Sequence, residues 1–324
     1  MNINWSHPNL LPKKLIFVDG VTRSGKSMVG PVISSLKGAY AFQHQAILDN
    51  LMPLLKKKSI RLDAAKSLLA FYFNQNIYSL NISREINLRP SDHSSVTKDK
   101  NYKNFLKNLK KPDGDYVIKE IKKKNNFPVF MSHDLLSMIE IFEKFNFNYK
   151  LIYTFRHPID NIFSLINRYK RVKAKNRLKY NYNNPRIYSM MIKKNNILLP
   201  YYTFGKEKLF LKLNHAEKYT FYYLHSLKNS LKQYKNFKKK GKIYLLSYDN
   251  FAVNTKNEIR KLAKFLSFKV SNFTNKSLKK ENLPRKLDTK SREKKKEIIK
   301  NMINEKMFNE VNDLSIKYDK KILF

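Results

Sequence analysis

The stretch LIFVDGVTRSGKSMVG (15–30) constrains the fold more than any other part of this chain. An apolar run, LIFVD, stops at a glycine, and SMVGPVISSLKG continues as a helix closed by Gly38. Such a run bounded by a turn reads as a buried strand. A strand, a tight glycine turn and a helix N-terminus together form an anion site, because successive backbone N–H groups and the helix dipole point the same way. Gly20 and Gly25 allow the close turn. Ser24 and Ser27 add hydroxyls, Arg23 and Lys26 add two cations, and Thr22 lies within the same loop. Gly20 to Ser27 matches the phosphate-loop pattern G-x-x-x-x-G-K-[ST]. Pro31 sits inside the helix, where its ring disturbs a turn.

Three further apolar runs read as strands: FPVFMSH (127–133), YKLIYTF (149–155) and KIYLLSY (242–248). Helical patterns alternate with them: residues 46–90, DLLSMIEIFEKF, PIDNIFSLINRYKRVKAK opened by Pro158, AEKYTFYYLHSLKNSLKQYKNF (216–237) and KNEIRKLAKFLSF (256–268). Residues 89–104 read as a loop. Short strands alternating with helices predict an α/β fold, with a mostly parallel central sheet flanked by helices. The expected organisation is one α/β domain over 1–270, with a Lys/Asn/Tyr-rich insertion or lid at 172–215. A basic helical extension, 271–324, is expected to pack on that domain or continue it.

Composition narrows the chemistry. The chain has no cysteine, which excludes disulfides and thiolate chemistry. The formal charge of +41 implies attraction to polyanions. Of the 66 basic residues, however, only 12 are arginine, and Lys, Asn and Ile are abundant throughout, as the codon usage of an AT-rich genome would give. No uncharged apolar run approaches a membrane span, and MNINWSHPNLLPKK lacks the pattern of a secretory signal. A cytoplasmic protein is expected.

The second informative stretch is YKLIYTFRHPIDNIFSLINRY (149–169). A strand ends at Arg156, a helix opens at Pro158, and Ser164 follows His157 by seven residues, about two turns. Arg156 and Ser164 can therefore grip one anion, and the guanidinium fork suits a phosphate. Here the chain resembles the sulfotransferases that use 3′-phosphoadenosine-5′-phosphosulfate (PAPS), which have a fold like that of P-loop nucleoside-triphosphate hydrolases. Arg23-Ser24-Gly25 is similar to the family's phosphosulfate loop, although Lys26 stands where threonine is usual and Met28 replaces an aromatic residue of the cytosolic branch. Arg156-His157-Pro158-Ile159-Asp160 and Ser164 are similar to its second nucleotide motif. KIYLLSYDNFAVNTKNEIRKLAKFLSF (242–268) looks like its later strand, turn and helix.

The resemblance implies a sulfotransferase that moves a sulfonate from PAPS to an acceptor hydroxyl or amine, such as a carbohydrate, a small metabolite or another anionic acceptor. It puts Arg156 and Ser164 on the cofactor's 3′-phosphate and Tyr248 near its adenine. Arg23, helped by Lys26, stabilises charge on the leaving phosphate. His133, in FMSHDLL, is the leading general base, because a histidine is substantially neutral at pH 7. His44 is its rival, Asp49 and Asp134 are further candidates, and His157 reads as a helix cap. Arg285 and Arg292 are candidate cations for the cofactor. No metal is required. The runner-up reading is a P-loop kinase or NTPase, with Asp134 or Asp249 helping to hold Mg²⁺. A nucleic-acid-binding protein is third, resting on the charge and on the basic, aromatic segment 169–188. The sequence leaves the oligomeric state open.

Overall fold

The computed structural model describes residues 3–44, 46–124, 127–170 and 190–324. In chain order, β1 (Leu15–Asp19) is followed by α1 (Lys26–Ser34), β2 (Ala39–His44), α2 (Ala46–Lys56), α3 (Leu62–Asn81), α4 (Tyr102–Asn108) and α5 (Asp115–Lys124). Then come β3 (Phe127–Met131), α6 (Ile139–Glu143), β4 (Tyr149–Phe155), α7 (Pro158–Lys170), β5 (Met191–Lys194), β6 (Ile197–Pro200), α8 (Glu207–Lys212) and α9 (His215–Asn236). β7 (Ile243–Ser247), α10 (Tyr248–Val253), α11 (Thr255–Leu266), α12 (Asn272–Lys280), α13 (Ser291–Lys300) and α14 (Glu305–Asp319) complete it.

Five strands form one sheet in the order β2-β3-β1-β4-β7, and every pairing in it is parallel. The mostly parallel, helix-flanked α/β sheet expected from the sequence is therefore present. Central β1 is buried along its whole length. Leu15 and Phe17 enter one core cluster, while Ile16 and Val18 enter another on the opposite face. Burial on both faces explains why the run is apolar without alternation. The first cluster recruits Leu51 of α2, Phe73 of α3 and Phe142 of α6. The second recruits Val32 of α1 and Leu262 of α11. Phe17 packs on the rings of Phe73, Phe130, Phe142 and Tyr149. Phe17→Ala is expected to cost about 3–5 kcal/mol of stability, read as a lower urea midpoint.

The sequence reading differs from the structure in several places. It missed β2, an edge strand. AYAFQH is short, starts one residue after Gly38 and ends in polar residues, so its periodicity is weak. The run FPVFMSH ends as strand at Met131, and Tyr248 opens α10 rather than closing β7. Within 89–104, Val96–Lys98 forms a 3₁₀ turn, and α4 begins at Tyr102. The region read as an insertion contains the antiparallel hairpin β5–β6 and α8, while 171–189 lies outside the described residues. The extension over 271–324 carries three helices, α12 to α14, which pack against α1, α7 and α9. No helix among the described residues is long and apolar enough to cross a membrane.

Candidate active site

In a parallel sheet, the segments that leave the strands' carboxyl ends gather along one edge, and ligands bind there. Each segment singled out in the sequence leaves a strand at this edge. The glycine loop follows β1, His44 ends β2, His133 follows β3, Arg156 follows β4, and Tyr248 follows β7. Topology alone thus brings together residues up to 228 positions apart (Gly20 and Tyr248).

The loop's turn requires glycine at two places. Gly20 has φ 141°, and a Cβ there would lie 2.2 Å from the Thr154 carbonyl oxygen. Gly25 has φ 107°, and a Cβ there would lie 2.5 Å from the Tyr248 ring. Arg23 between them also has positive φ, 73°, a turn that aims successive N–H groups inward. Ser24 is buried, its hydroxyl 2.7 Å from that of Thr154, which donates to the Asp19 carbonyl at 3.0 Å. Ser24 therefore clamps the loop to β1 and β4. Thr22 is held by Tyr222 of α9, with 3.0 Å between the hydroxyls. Ser27 is exposed at the start of α1.

The two loop cations point in opposite directions. Lys26 is 4% exposed and donates to the Gly20 carbonyl behind the loop. Burial lowers its pKa to about 8, against the opposing pull of Asp19, Asp134 and Asp49. Arg23 is exposed and donates from Nε to Ser164 Oγ at 2.8 Å. Arg156 lies over the Tyr248 ring, its guanidinium carbon 4.6 Å from the centroid. Its Nε is buried with no hydrogen-bond partner among the described residues. Arg285 lies against the same ring, 5.6 Å away, and donates to the Tyr248 hydroxyl. Arg23, Arg156, Arg285, Ser164 and Tyr248 thus border one anion-receptive region. Within it, Ser164 is engaged by Arg23, and Arg156 by Tyr248.

Arg292 faces elsewhere. It bonds Asp160 at 2.8 Å and also Asp249, and Lys295 takes the other Asp160 oxygen at 2.7 Å. His157 is buried with Nε2 3.4 Å from Asp319, and its carbonyl accepts from the Asn161 N–H at 3.0 Å as α7 begins. Its backbone, not its ring, serves the helix start.

Next to the loop, His133 Nδ1 lies 2.8 Å from Asp49 Oδ2, and the His133 N–H donates to Asp49 Oδ1 at 2.6 Å. Burial raises Asp49 to about 7, opposed by that backbone bond and by nearby His44 and Lys26. His44 Nε2 is 3.9 Å from the same Asp49 oxygen, and its ring stands edge-on to His133 with centroids 5.4 Å apart. Burial, then His133, lowers the His44 pKa. Buried Asp19 accepts from Ser132 Oγ at 3.1 Å and from the Leu136 N–H at 2.8 Å, which fixes the segment carrying His133. Asp134 accepts from the Tyr201 hydroxyl at 3.2 Å, and burial raises its pKa to about 6.

Sequence reasoning brought His133, Asp49 and His44 forward as rivals, whereas the structure joins them in one cluster. It missed Tyr222 and Asp19. Tyr222 sits in the aromatic run FYYLH, indistinguishable from core positions of α9. Asp19 closes the strand run LIFVD, and nothing in the sequence marks its carboxylate as reaching Ser132 and Leu136 more than 110 residues away.

These features define a P-loop-like α/β protein with a cluster of arginines at the sheet's carboxyl edge. The sulfotransferase domain model matches residues 13–317, and the chain belongs to that family; it is a transferase that acts on an acceptor substrate. Solved structures similar to it include the sulfotransferase domain from the curacin biosynthetic pathway, at 12% identity and TM-score 0.41, covering 83% of this chain and 77% of that one. Sulfotransferase STF1 from Mycobacterium tuberculosis has 8% identity and TM-score 0.42, covering 90% and 77%. Mouse sulfotransferase SULT7A1, complexed with PAP, has 14% identity and TM-score 0.36, covering 84% and 65%. None of the curated proteins matches the chain by sequence.

Proposed function

We propose that this sulfotransferase uses PAPS as donor and sulfates a hydroxyl or amine of a carbohydrate or small metabolite. The observation that carries the donor assignment is the pairing of Arg23 with Ser164 beside Arg156 on Tyr248, outside a loop whose Lys26 turns inward. Arg156 on Tyr248 at one side and the loop with Arg23 at the other, with Ser164 between the two cations, suit a nucleotide with phosphates at two positions. An NTPase loop needs its lysine on the phosphates and a carboxylate for Mg²⁺. Here Lys26 serves the Gly20 carbonyl, Asp249 is held by Arg292, and Asp134 receives Tyr201.

The buried Arg156 Nε, without a hydrogen-bond partner among the described residues, is a donor that fits a nucleotide phosphate. Arg156 and Ser164 would hold the 3′-phosphate, Tyr248 would flank the adenine, and Arg285 would add charge beside it. The loop N–H groups from Thr22 to Ser27 would hold the 5′ end, with Lys26 supporting them from behind. When bound, the donor supplies a sulfonate on a nucleotide-phosphate leaving group. Arg23, the exposed loop cation, stabilises negative charge growing at that phosphate, from a position set before reaction. In the tautomer protonated at Nδ1, His133 donates to Asp49, which leaves the lone pair on Nε2 to take the acceptor's proton. Asp49 orients the ring and balances the charge His133 gains. The basic surface favours an anionic acceptor.

The test is transfer of label from sulfur-labelled PAPS to a mixed pool of phenol, amine and sugar acceptors. Labelled acceptor with equimolar release of 3′-phosphoadenosine-5′-phosphate (PAP) is expected. Phosphoryl transfer from γ-labelled ATP, with none from PAPS, would overturn the assignment.

A further inference from the structure

The cluster beside the loop holds more ligand atoms than a general base needs. One carboxylate suffices to orient His133, and Asp49 does so through both oxygens. A second imidazole, His44, is nevertheless brought to the same Asp49 oxygen at 3.9 Å, beyond hydrogen-bond reach. One ligand atom from each of His44, Asp49 and His133 lies within 4.8 Å of the other two.

We propose that His44, Asp49 and His133 form a binding site for one divalent transition-metal ion of the zinc type. Zinc–nitrogen and zinc–oxygen bonds of about 2.0–2.1 Å in a tetrahedron put neighbouring ligand atoms about 3.3 Å apart. The 2.8 Å and 3.9 Å separations from Asp49 Oδ2 lie on either side of that value, and all three ligand atoms lie within 4.8 Å of one another, so side-chain rotations close the site. Two imidazoles and one carboxylate select zinc, cobalt or nickel over calcium or magnesium, which prefer all-oxygen shells. Three protein ligands leave a position for water or an acceptor group.

The surroundings also suit a metal ligand set. Asp49 Oδ1 is tied to the His133 N–H, the kind of supporting hydrogen bond that holds a ligating carboxylate in place. Asp19 and Asp134 act electrostatically on the same buried region, and Lys26 is the cation opposing them. Regular elements place the three ligands: His44 ends β2, Asp49 lies in the first turn of α2, and His133 follows β3. Metal binding uses the Nδ1 and carboxylate positions that otherwise orient the ring. Metal binding itself does not rest on the reading of His133 as base.

The experiment uses zinc and cobalt chlorides with the full chain. Calorimetry should find one zinc per chain, and cobalt should give visible bands of a low-coordinate nitrogen–oxygen site. His44→Ala and His133→Ala should each weaken zinc binding by about tenfold or more, with thermal melts establishing that the variants fold. In the unmodified protein carrying nitrogen-labelled histidine, zinc should shift the imidazole resonances of two of the seven histidines. No binding, undiminished binding in folded variants, or shifts confined to other histidines would overturn the proposal. PAP titration on the same samples reports separately on the donor assignment, since its residues lie outside the cluster.

Discussion

Arg23→Ala is expected to lower kcat for sulfonate transfer by about 10²–10³-fold, equivalent to roughly 2.7–4 kcal/mol of lost transition-state stabilisation. The reasoning starts from the loop. Lys26 is buried against the Gly20 carbonyl, so Arg23 is the loop cation with its head on the open side. A cation set at the leaving phosphate before reaction acts on charge that develops only as the bond breaks, so the loss should fall on kcat more than on donor KM. Arg23→Lys should recover part of the rate, because it keeps the charge and loses the fork. Ser164→Ala removes the 2.8 Å partner of Arg23 but leaves the cation. It should raise donor KM and change kcat far less. Steady-state kinetics with PAPS and a phenol acceptor separate these cases. A kcat for Arg23→Ala within a few-fold of the native value would assign the leaving-group role elsewhere.

His133→Ala should reduce kcat by about 10²–10⁴-fold, the usual contribution of a positioned general base. Asp49→Asn tests the arrangement behind it. The amide keeps the shape but removes the charge that holds the Nδ1–H at 2.8 Å and balances the protonated ring. A misoriented base costs about 10²-fold, again mainly in kcat. The diagnostic readout is the double variant. If Asp49 acts through His133, Asp49→Asn adds little once His133 is alanine. Independent, multiplicative losses would show that Asp49 works on its own. PAP affinity, measured alongside, should stay near native in both variants.

How far the sequence was legible follows from how local each signal is. β1 and its loop are local, because continuous burial and the glycine turn both leave marks within 16 residues (15–30). The strand–Arg156–Pro158–Ser164 segment is local for the same reason. β2 was not legible, because an edge strand that ends in Gln43 and His44 has neither the alternation nor the length that marks a strand. The directions of Lys26 and Arg23 were equally hidden: in the sequence the two differ by three positions, and only backbone φ and burial decide which one faces inward. His44, Asp49 and His133 looked like competitors because sequence separation, 84 residues between the last two, says nothing of shared space. Once β2 and β3 pair in parallel, their carboxyl ends are neighbours and the cluster follows. Arg292 looked like a cofactor ligand, but Asp160 of α7 and Asp249 of α10 claim it, a pairing between elements far apart in sequence.

The central claim is that the site takes a nucleotide with a 3′-phosphate. The most direct measurement is calorimetric titration of PAP, and separately of ATP with Mg²⁺, into the native chain and into Arg156→Ala/Ser164→Ala. PAP should bind tighter than ATP, and the double variant should lose at least about 2 kcal/mol of that binding, roughly thirtyfold, because two charge-assisted or hydroxyl contacts to phosphate disappear. Tighter binding of ATP with Mg²⁺, untouched by the double variant, would contradict the account.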